Sequence, residues 1–437
     1  MSEQETINEL KDLIVNLKNE NKELEKKISS RRYRIADKLV DTSYSLLHFK
    51  NFKKSKKTGE IKSEKNHQRT IDKGRVDIIN VNFYDWDGKT VFRGGAERYV
   101  FDLACLLKKM GYRPRLLQGA NHDFEKEFHN IPVVGIKMKN QNMRMMSSVY
   151  NNVCKDAEFI IASPLELASE LTCNVPVISI NHGINFDHIS NRYQAINNYN
   201  YADYIDGLIF SDYCVCVDTN FINWVRTRDY KLSLKMEYIP NYYDEKTFKN
   251  IKRKKNKRLT FVYPRRIYSA RGHDITLQAF RKIIKKYPNS VELHMIGQID
   301  NKSAKKDVDE MLAEFPNNFF QTSYPMKDMY KAYEKADVVI IPTRYSEGTS
   351  LSCIEGMASG AAVIATNVGG LPNLIIDEFN GLLISPTANA LKEAAEKLIE
   401  NPTLRKSIAK NGETVAKAAF QKDNWDTRWE KIISLIK

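Results

Sequence analysis

Two carboxylates, Glu347 and Glu355, stand with seven residues between them in SEGTSLSCIEGMASG (Ser346 to Gly360). The first follows a strand-like run, ADVVIIPT (Ala336 to Thr343), and a short turn. The second sits among the helix formers IEGMA. The pair therefore spans the end of a strand, a loop of Gly348, Thr349, Ser350 and Leu351, and the first turns of a helix. Such a loop has little side-chain bulk, so its N–H groups can approach a ligand closely, and a helix N-terminus attracts anions. Carboxylates beside an anion would be repelled unless they faced hydroxyls, which sugars and ribose supply. The expected ligand is a nucleotide sugar.

The chain continues AAVIATNVGGLPNLI (Ala361 to Ile375) and then NGLLISP (Asn380 to Pro386). Over more than 40 residues this stretch resembles the E-x7-E region of retaining glycosyltransferases of the GT-B fold, the family 4 type or glycosyl transferases group 1. The resemblance implies that Glu355 meets the ribose hydroxyls of the donor and that Glu347 positions the hydroxyls of its sugar. Upstream, YPRRIYSARGHDITLQAF (Tyr263 to Phe280) is similar to that family's Arg/Lys segment. Arg266 falls on its arginine and Arg271 on its lysine, both implied to bind the diphosphate. Arginine for lysine keeps the charge and adds bidentate geometry. The leaving diphosphate gains negative charge as the glycosidic bond breaks, so fixed cations there favour the transition state. Two carboxylates alone would also suit a glycosidase; beside a helix N-terminus and two arginines they fit a phosphate-bearing donor better.

In the first half, Gly94 and Gly95 open a helix directly after a strand and loop, and GGAER resembles the family's Gly-Gly loop at the donor phosphates or the acceptor. His182, in NHGINFD after the strand VPVISI, resembles a cleft histidine, or is a satisfied structural one. Asn241, in IPNYYD, matches a family turn whose glycine is replaced here by Tyr242. Asp85 and Asp87 have the DxD spacing used for manganese by another glycosyltransferase fold, and Asp307 and Asp309 share it. They are read as loop, acceptor or surface-helix residues; no metal and no cofactor is expected, the nucleotide-diphosphate sugar being a donor substrate.

Positioning these groups needs a scaffold. From Arg75 onward strands and helices alternate in the rhythm of a doubly wound parallel sheet. VDIINVNF, YRPRLLQ, EFIIAS, VPVISI and GLIF read as strands, and Gly94 to Gly111 as a helix. After a basic hinge (Lys249 to Arg258), RLTFVYP, SVELHMIG, ADVVIIP and AAVIAT form a second series. The fold class is α/β: two Rossmann-like domains facing a cleft. The expected division is a coiled coil at 1–30, a basic amphipathic helix and linker at 31–75, an acceptor domain at 76–248, a donor domain at 249–415, and a helix at 416–437 that the resemblance returns to the first domain.

Ile7, Ile14, Asn21 and Ile28 alternate with Leu10, Leu17 and Leu24 in a heptad. That pattern favours a parallel two-stranded coil, hence a homodimer through residues 7–28; a single amphipathic helix packed on its own domain is the alternative. Between Arg31 and Arg75 there are 14 Lys/Arg against 5 Asp/Glu, within a net charge of +14 for 437 residues. Basic excess calls for an anionic partner. Residues 31–69 read either as an anchor for an anionic membrane surface or as a docked helix with a flexible tether. Little aromatic interleaving accompanies the lysines, so nucleic acid is not expected. No run approaches 18 apolar residues, no signal peptide is recognised, and the six scattered Cys read as free thiols in a reducing compartment.

The reading is a retaining glycosyltransferase that moves a hexosyl or related sugar to a glycan or lipid-linked acceptor. The expected setting is bacterial cell-surface polysaccharide synthesis, in the cytoplasm or peripherally on the inner face of the cell membrane. The alternative is a catalytically weak GT-B scaffold that organises a glycan-synthesis complex through its coiled coil.

Overall fold

A computed structural model describes residues 72–91, 94–184, 201–248, 257–345 and 347–436. The heptad segment, the basic segment 31–69 and most of the basic hinge lie outside the described residues.

Among the described residues, continuous apolar runs form strands buried on both faces, as parallel sheets require. β1 (Arg75–Asn80), β2 (Arg113–Ala120), β3 (Phe124–Phe128), β4 (Ile131–Lys137), β5 (Phe159–Ser163), β6 (Val177–Asn181), β7 (Tyr213–Cys216) and β8 (Met236–Tyr238) make the first sheet. Its order is β3-β4-β2-β1-β5-β6-β7-β8. Only β3 runs antiparallel to its neighbour; its exposed FEKEF centre marks a charged edge. β9 (Leu259–Tyr263), β10 (Val291–Ile296), β11 (Phe319–Thr322), β12 (Val338–Ile341), β13 (Ala362–Thr366) and β14 (Leu382–Ile384) make the second. Its order is β11-β10-β9-β12-β13-β14, parallel throughout. In each sheet the strand order reverses at the first strand, β1 or β9. A doubly wound sheet binds ligands at such a switch point, beyond the carboxyl ends of its strands.

Helix α1 (Gly95–Lys109) buries Tyr99, Val100, Leu103, Ala104, Leu106 and Leu107 at helical spacing, with Glu97 in its first turn and Lys108 and Lys109 in its last. Those charges complement the helix dipole. α2 (Met143–Cys154) is capped by Asn142, whose side chain accepts from the Met145 amide. The stretch GLIF, expected as a strand, is instead the end of α3 (Tyr201–Phe210), and the strand begins at Tyr213. Gly207 explains the difference: a Cβ there would lie 2.4 Å from the Leu165 carbonyl, so the glycine serves close helix packing. α4 (Asn220–Arg226) follows β7, α5 (His273–Lys286) follows the arginine segment, and α6 (Leu351–Ala358) carries Glu355.

The last described helix, α7 (Lys422–Ser434), joins the core of the first sheet: Trp425, Trp429, Ile432 and Ile433 pack with Val76, Ile78, Tyr99 and Leu103. The Trp429 indole N–H donates to the Tyr99 hydroxyl at 2.8 Å. Two fully buried tryptophans remove on the order of 150–250 Å2 each from water, enough to make this helix part of that core. No helix among the described residues is long and apolar enough to cross a membrane. Cys154, Cys214, Cys216 and Cys353 are buried free thiols, while Cys105 is exposed.

Candidate functional site

Loops at the carboxyl ends of both sheets meet. Thr343 lies two residues beyond β12, Arg265 follows β9, and Glu347 lies on the loop between β12 and α6. Glu347 Oε2 accepts hydrogen bonds from Arg265 Nη2 at 2.8 Å, from Thr343 Oγ1 at 2.7 Å, and from Arg271 Nη1. Burial pushes the Glu347 carboxyl up, but the two guanidiniums and the Thr343 hydroxyl outweigh it, so its pKa lies below the usual carboxylate range. Its charge raises the Arg271 pKa in return. Two cations on one carboxylate leave a local net positive charge, suited to an anion.

Arg271 is held by its neighbours. Gly272 adopts φ +77°, and a Cβ there would lie 1.9 Å from the Pro342 carbonyl, so only glycine lets α5 start this close to the end of β12. The Tyr263 hydroxyl donates to the Arg271 carbonyl at 3.0 Å.

The second glutamate sits 7% exposed. Glu355 Oε1 accepts from Arg98 Nη1 at 3.0 Å and Oε2 from the Tyr333 hydroxyl at 2.8 Å. Arg98 belongs to α1, so this ion pair bridges the two sheets' helices. Burial alone would lower the Arg98 pKa; Glu355, Tyr242 and Asp102 together raise it.

The loop between the glutamates is a contact surface. The Asn241 side-chain amide donates to the Thr349 carbonyl, and the Thr349 hydroxyl donates to the Val217 carbonyl. Thr349 and Ser350 are buried, at 2% and 4% exposure. A Cβ on Gly348 would lie 2.8 Å from the His182 carbonyl, and one on Gly95 would lie 3.4 Å from Leu351. Gly94 and Gly95 remain exposed at the start of α1. His182 is fixed by a 2.9 Å hydrogen bond between its Nε2 and Ser163 Oγ and by the edge of Tyr99. Burial lowers its pKa to about 4, so the ring is neutral at pH 7.

Arg266 is not brought to Glu347. Its side chain is 60% exposed and lies 3.8 Å from Asp300. Adjacent side chains after a strand diverge, and Arg265 turns inward instead. Arg265 and Tyr333 escaped the sequence reading; Arg98 stood within GGAER but drew no role of its own. Asp85 accepts from the Lys89 and Thr90 amides within a turn, and Asp307 meets His273. Among the described residues no cluster of His, Cys, Asp and Glu is arranged to hold a metal ion.

Residues 244–415 match the family "Glycosyl transferases group 1". The uncharacterized glycosyltransferase MJ1069 of Methanocaldococcus jannaschii is 25% identical over 262 residues, covering 57% of this chain and 64% of its own. The capsular polysaccharide biosynthesis glycosyltransferase CapM of Staphylococcus aureus is 27% identical over 181 residues, 41% of this chain and 46% of its own. The matches therefore span less than two thirds of these relatives. Sucrose-phosphate synthase from Thermosynechococcus elongatus superposes with a TM-score of 0.67 at 17% identity, covering 83% of this chain and 98% of that one. Anabaena HepE, solved in complex with UDP-glucose, gives 0.64 at 15% identity, covering 82% and 99%. These likenesses establish the GT-B fold.

Proposed function

We propose, from the match of residues 244–415 to the glycosyl transferases group 1 family, that the chain transfers a sugar from a nucleoside-diphosphate donor to a hydroxyl of a glycan or lipid-linked acceptor, keeping the anomeric configuration. The carrying observation is the cluster of Arg265 and Arg271 on Glu347, beside the helix that bears Glu355. A cationic centre flanked by two hydroxyl-accepting carboxylates suits a diphosphate joined to ribose on one side and to a hexose on the other.

In this reading the arginines exchange partners. Before the donor binds they neutralise Glu347; the diphosphate then takes up their charge, and Glu347 turns to a sugar hydroxyl. Glu355 likewise releases Arg98 and accepts from ribose. As the glycosidic bond breaks, negative charge grows on the departing phosphate, and the fixed guanidiniums stabilise it most at that moment. The acceptor's proton passes to the same phosphate oxygen, so no side-chain nucleophile is required. Closure of the two halves excludes water. The Gly94–Gly95 turn and neutral His182 line the first half's side of the cleft. No metal is required in this scheme, since arginines and helix N-termini supply the positive charge. HepE binds UDP and UDP-glucose, and CapM acts in capsular polysaccharide biosynthesis; both favour a nucleotide-sugar donor and a polysaccharide product.

A panel of nucleoside diphosphates and their sugars, screened for thermal stabilisation, identifies the donor. NMR of the product's anomeric carbon then reads the stereochemistry. Absence of stabilisation by every nucleotide, or an inverted product, would overturn the reading.

A further inference from the structure

Asp218 follows β7 in the first half and is fully buried. Its Oδ1 accepts from the amide of Asn220, the first residue of α4, at 2.8 Å. Its Oδ2 is buried with no hydrogen-bond partner among the described residues. That bond uses only one oxygen and leaves the second unexplained. Burying an unsatisfied carboxylate oxygen is costly. Burial raises the Asp218 pKa to about 6, even though the amides of Asn220 and Phe221 work the other way.

Glycine backbone from both halves lies close by. A Cβ on Gly183 would lie 3.2 Å from Asp218 Oδ2 and 3.5 Å from the Gly348 Cα. One on Gly370 would lie 2.8 Å from the Asp218 Cβ. Gly370 in turn donates its N–H to the Glu347 carbonyl at 2.6 Å. The unpartnered oxygen thus lies at the seam where the first half meets the loop of Glu347, beside the backbone of Gly183 and Gly348. A second buried polar atom, the Tyr238 hydroxyl, is also unpartnered, and Asp218 acts on it electrostatically.

We propose that Asp218 is a specificity-determining residue whose Oδ2 accepts a hydrogen bond from a hydroxyl of the sugar being transferred, when the seam between Gly183 and Gly348 parts to admit it. This deepens the nucleotide-sugar reading and rests on it. Glu347 then serves the sugar from the second half and Asp218 from the first, so a sugar lacking the matching hydroxyl leaves a buried carboxylate unpaired.

The test is calorimetric titration of the full chain with UDP, GDP, dTDP and ADP, and with the glucose, galactose and N-acetylglucosamine conjugates available for each. Wild type, Asp218→Asn and Asp218→Ala are compared. The Asp218→Asn variant keeps an oxygen for the Asn220 amide, which guards against misfolding. The expected result is that both variants bind the nucleoside diphosphate as wild type does but lose roughly tenfold of the extra affinity for its sugar conjugate. If the sugar's contribution is unchanged, Asp218 does not touch it. If diphosphate and conjugate weaken together, Asp218 serves only the local structure at the Asn220 amide, and the inference fails. If wild type binds none of these ligands, the donor reading itself fails, an outcome separate from the other two.

Discussion

Arg98 Nη1 and Glu355 Oε1 lie 3.0 Å apart although 257 positions separate them in the chain. The bond joins the first turn of α1 to the helix that carries the second glutamate. Both side chains are largely buried, at 22% and 9% exposure. The contact therefore ties the start of α1 to the helix that bears Glu355 from a sheltered place.

Arg98→Ala strands the Glu355 carboxylate, with only Tyr333 left to serve it. The expected loss in chemical denaturation is roughly 2–4 kcal/mol, the range for breaking a buried pair. Arg98→Ala combined with Glu355→Gln should recover part of that loss, because the stranded Glu355 charge is gone while Asp102, the other carboxylate beside Arg98, remains. Strict additivity of the two changes would mean that the pair is not coupled.

Arg265 and Arg266 are neighbours with different surroundings, 8% against 60% exposed. Arg265→Met should lower turnover of the nucleotide sugar on the order of 100-fold, as loss of one transition-state charge contact does. Arg266→Met should cost less. Steady-state rates with the donor found by screening rank the two, and a reversed order would mean that Arg266 swings into the site on binding.

Tyr99→Phe removes the acceptor for the Trp429 indole N–H inside the core. Leaving that donor unsatisfied costs about 1–3 kcal/mol. The change should appear as a lower midpoint in urea.

Asp218 gives a pH signature. Unfolded, its carboxyl ionises near the ordinary 3.8; folded, near about 6. The folded chain therefore holds that proton over a window in which the unfolded chain has lost it. The contribution to stability is full below about pH 4 and is lost as pH rises to about 6. Asp218→Asn removes the loss, so its melting temperature should match wild type near pH 4 and exceed it at pH 7.5. The pKa difference corresponds to roughly 3 kcal/mol at most. Parallel melting curves across that range would show that the carboxyl is not buried as described.

The two series of apolar strands were legible because parallel strands leave uninterrupted hydrophobic runs, such as VVII in β12 and AVIAT in β13. Glu347 and Glu355 stood out as a pair because only seven residues separate them, whereas Arg271, 76 positions from Glu347, was singled out by the resemblance of its own segment. GLIF misled because an apolar run of four has no period of its own, and only the contact of Gly207 with the Leu165 carbonyl shows it to be helical. The choice between Arg265 and Arg266 turns on which way the chain leaves β9. The contacts of Arg98 with Glu355, and of Gly183 with Gly348, join distant segments from different sheets, so no local pattern announces them.

Trp425 and Trp429 complete the core of a sheet whose first strand begins at Arg75. On the ribosome, that sheet's core is left with an apolar gap until the whole second sheet and α7 have been made. The first-made half is therefore the last to be finished, and truncations or frameshifts near Trp425 should damage it rather than the half they follow.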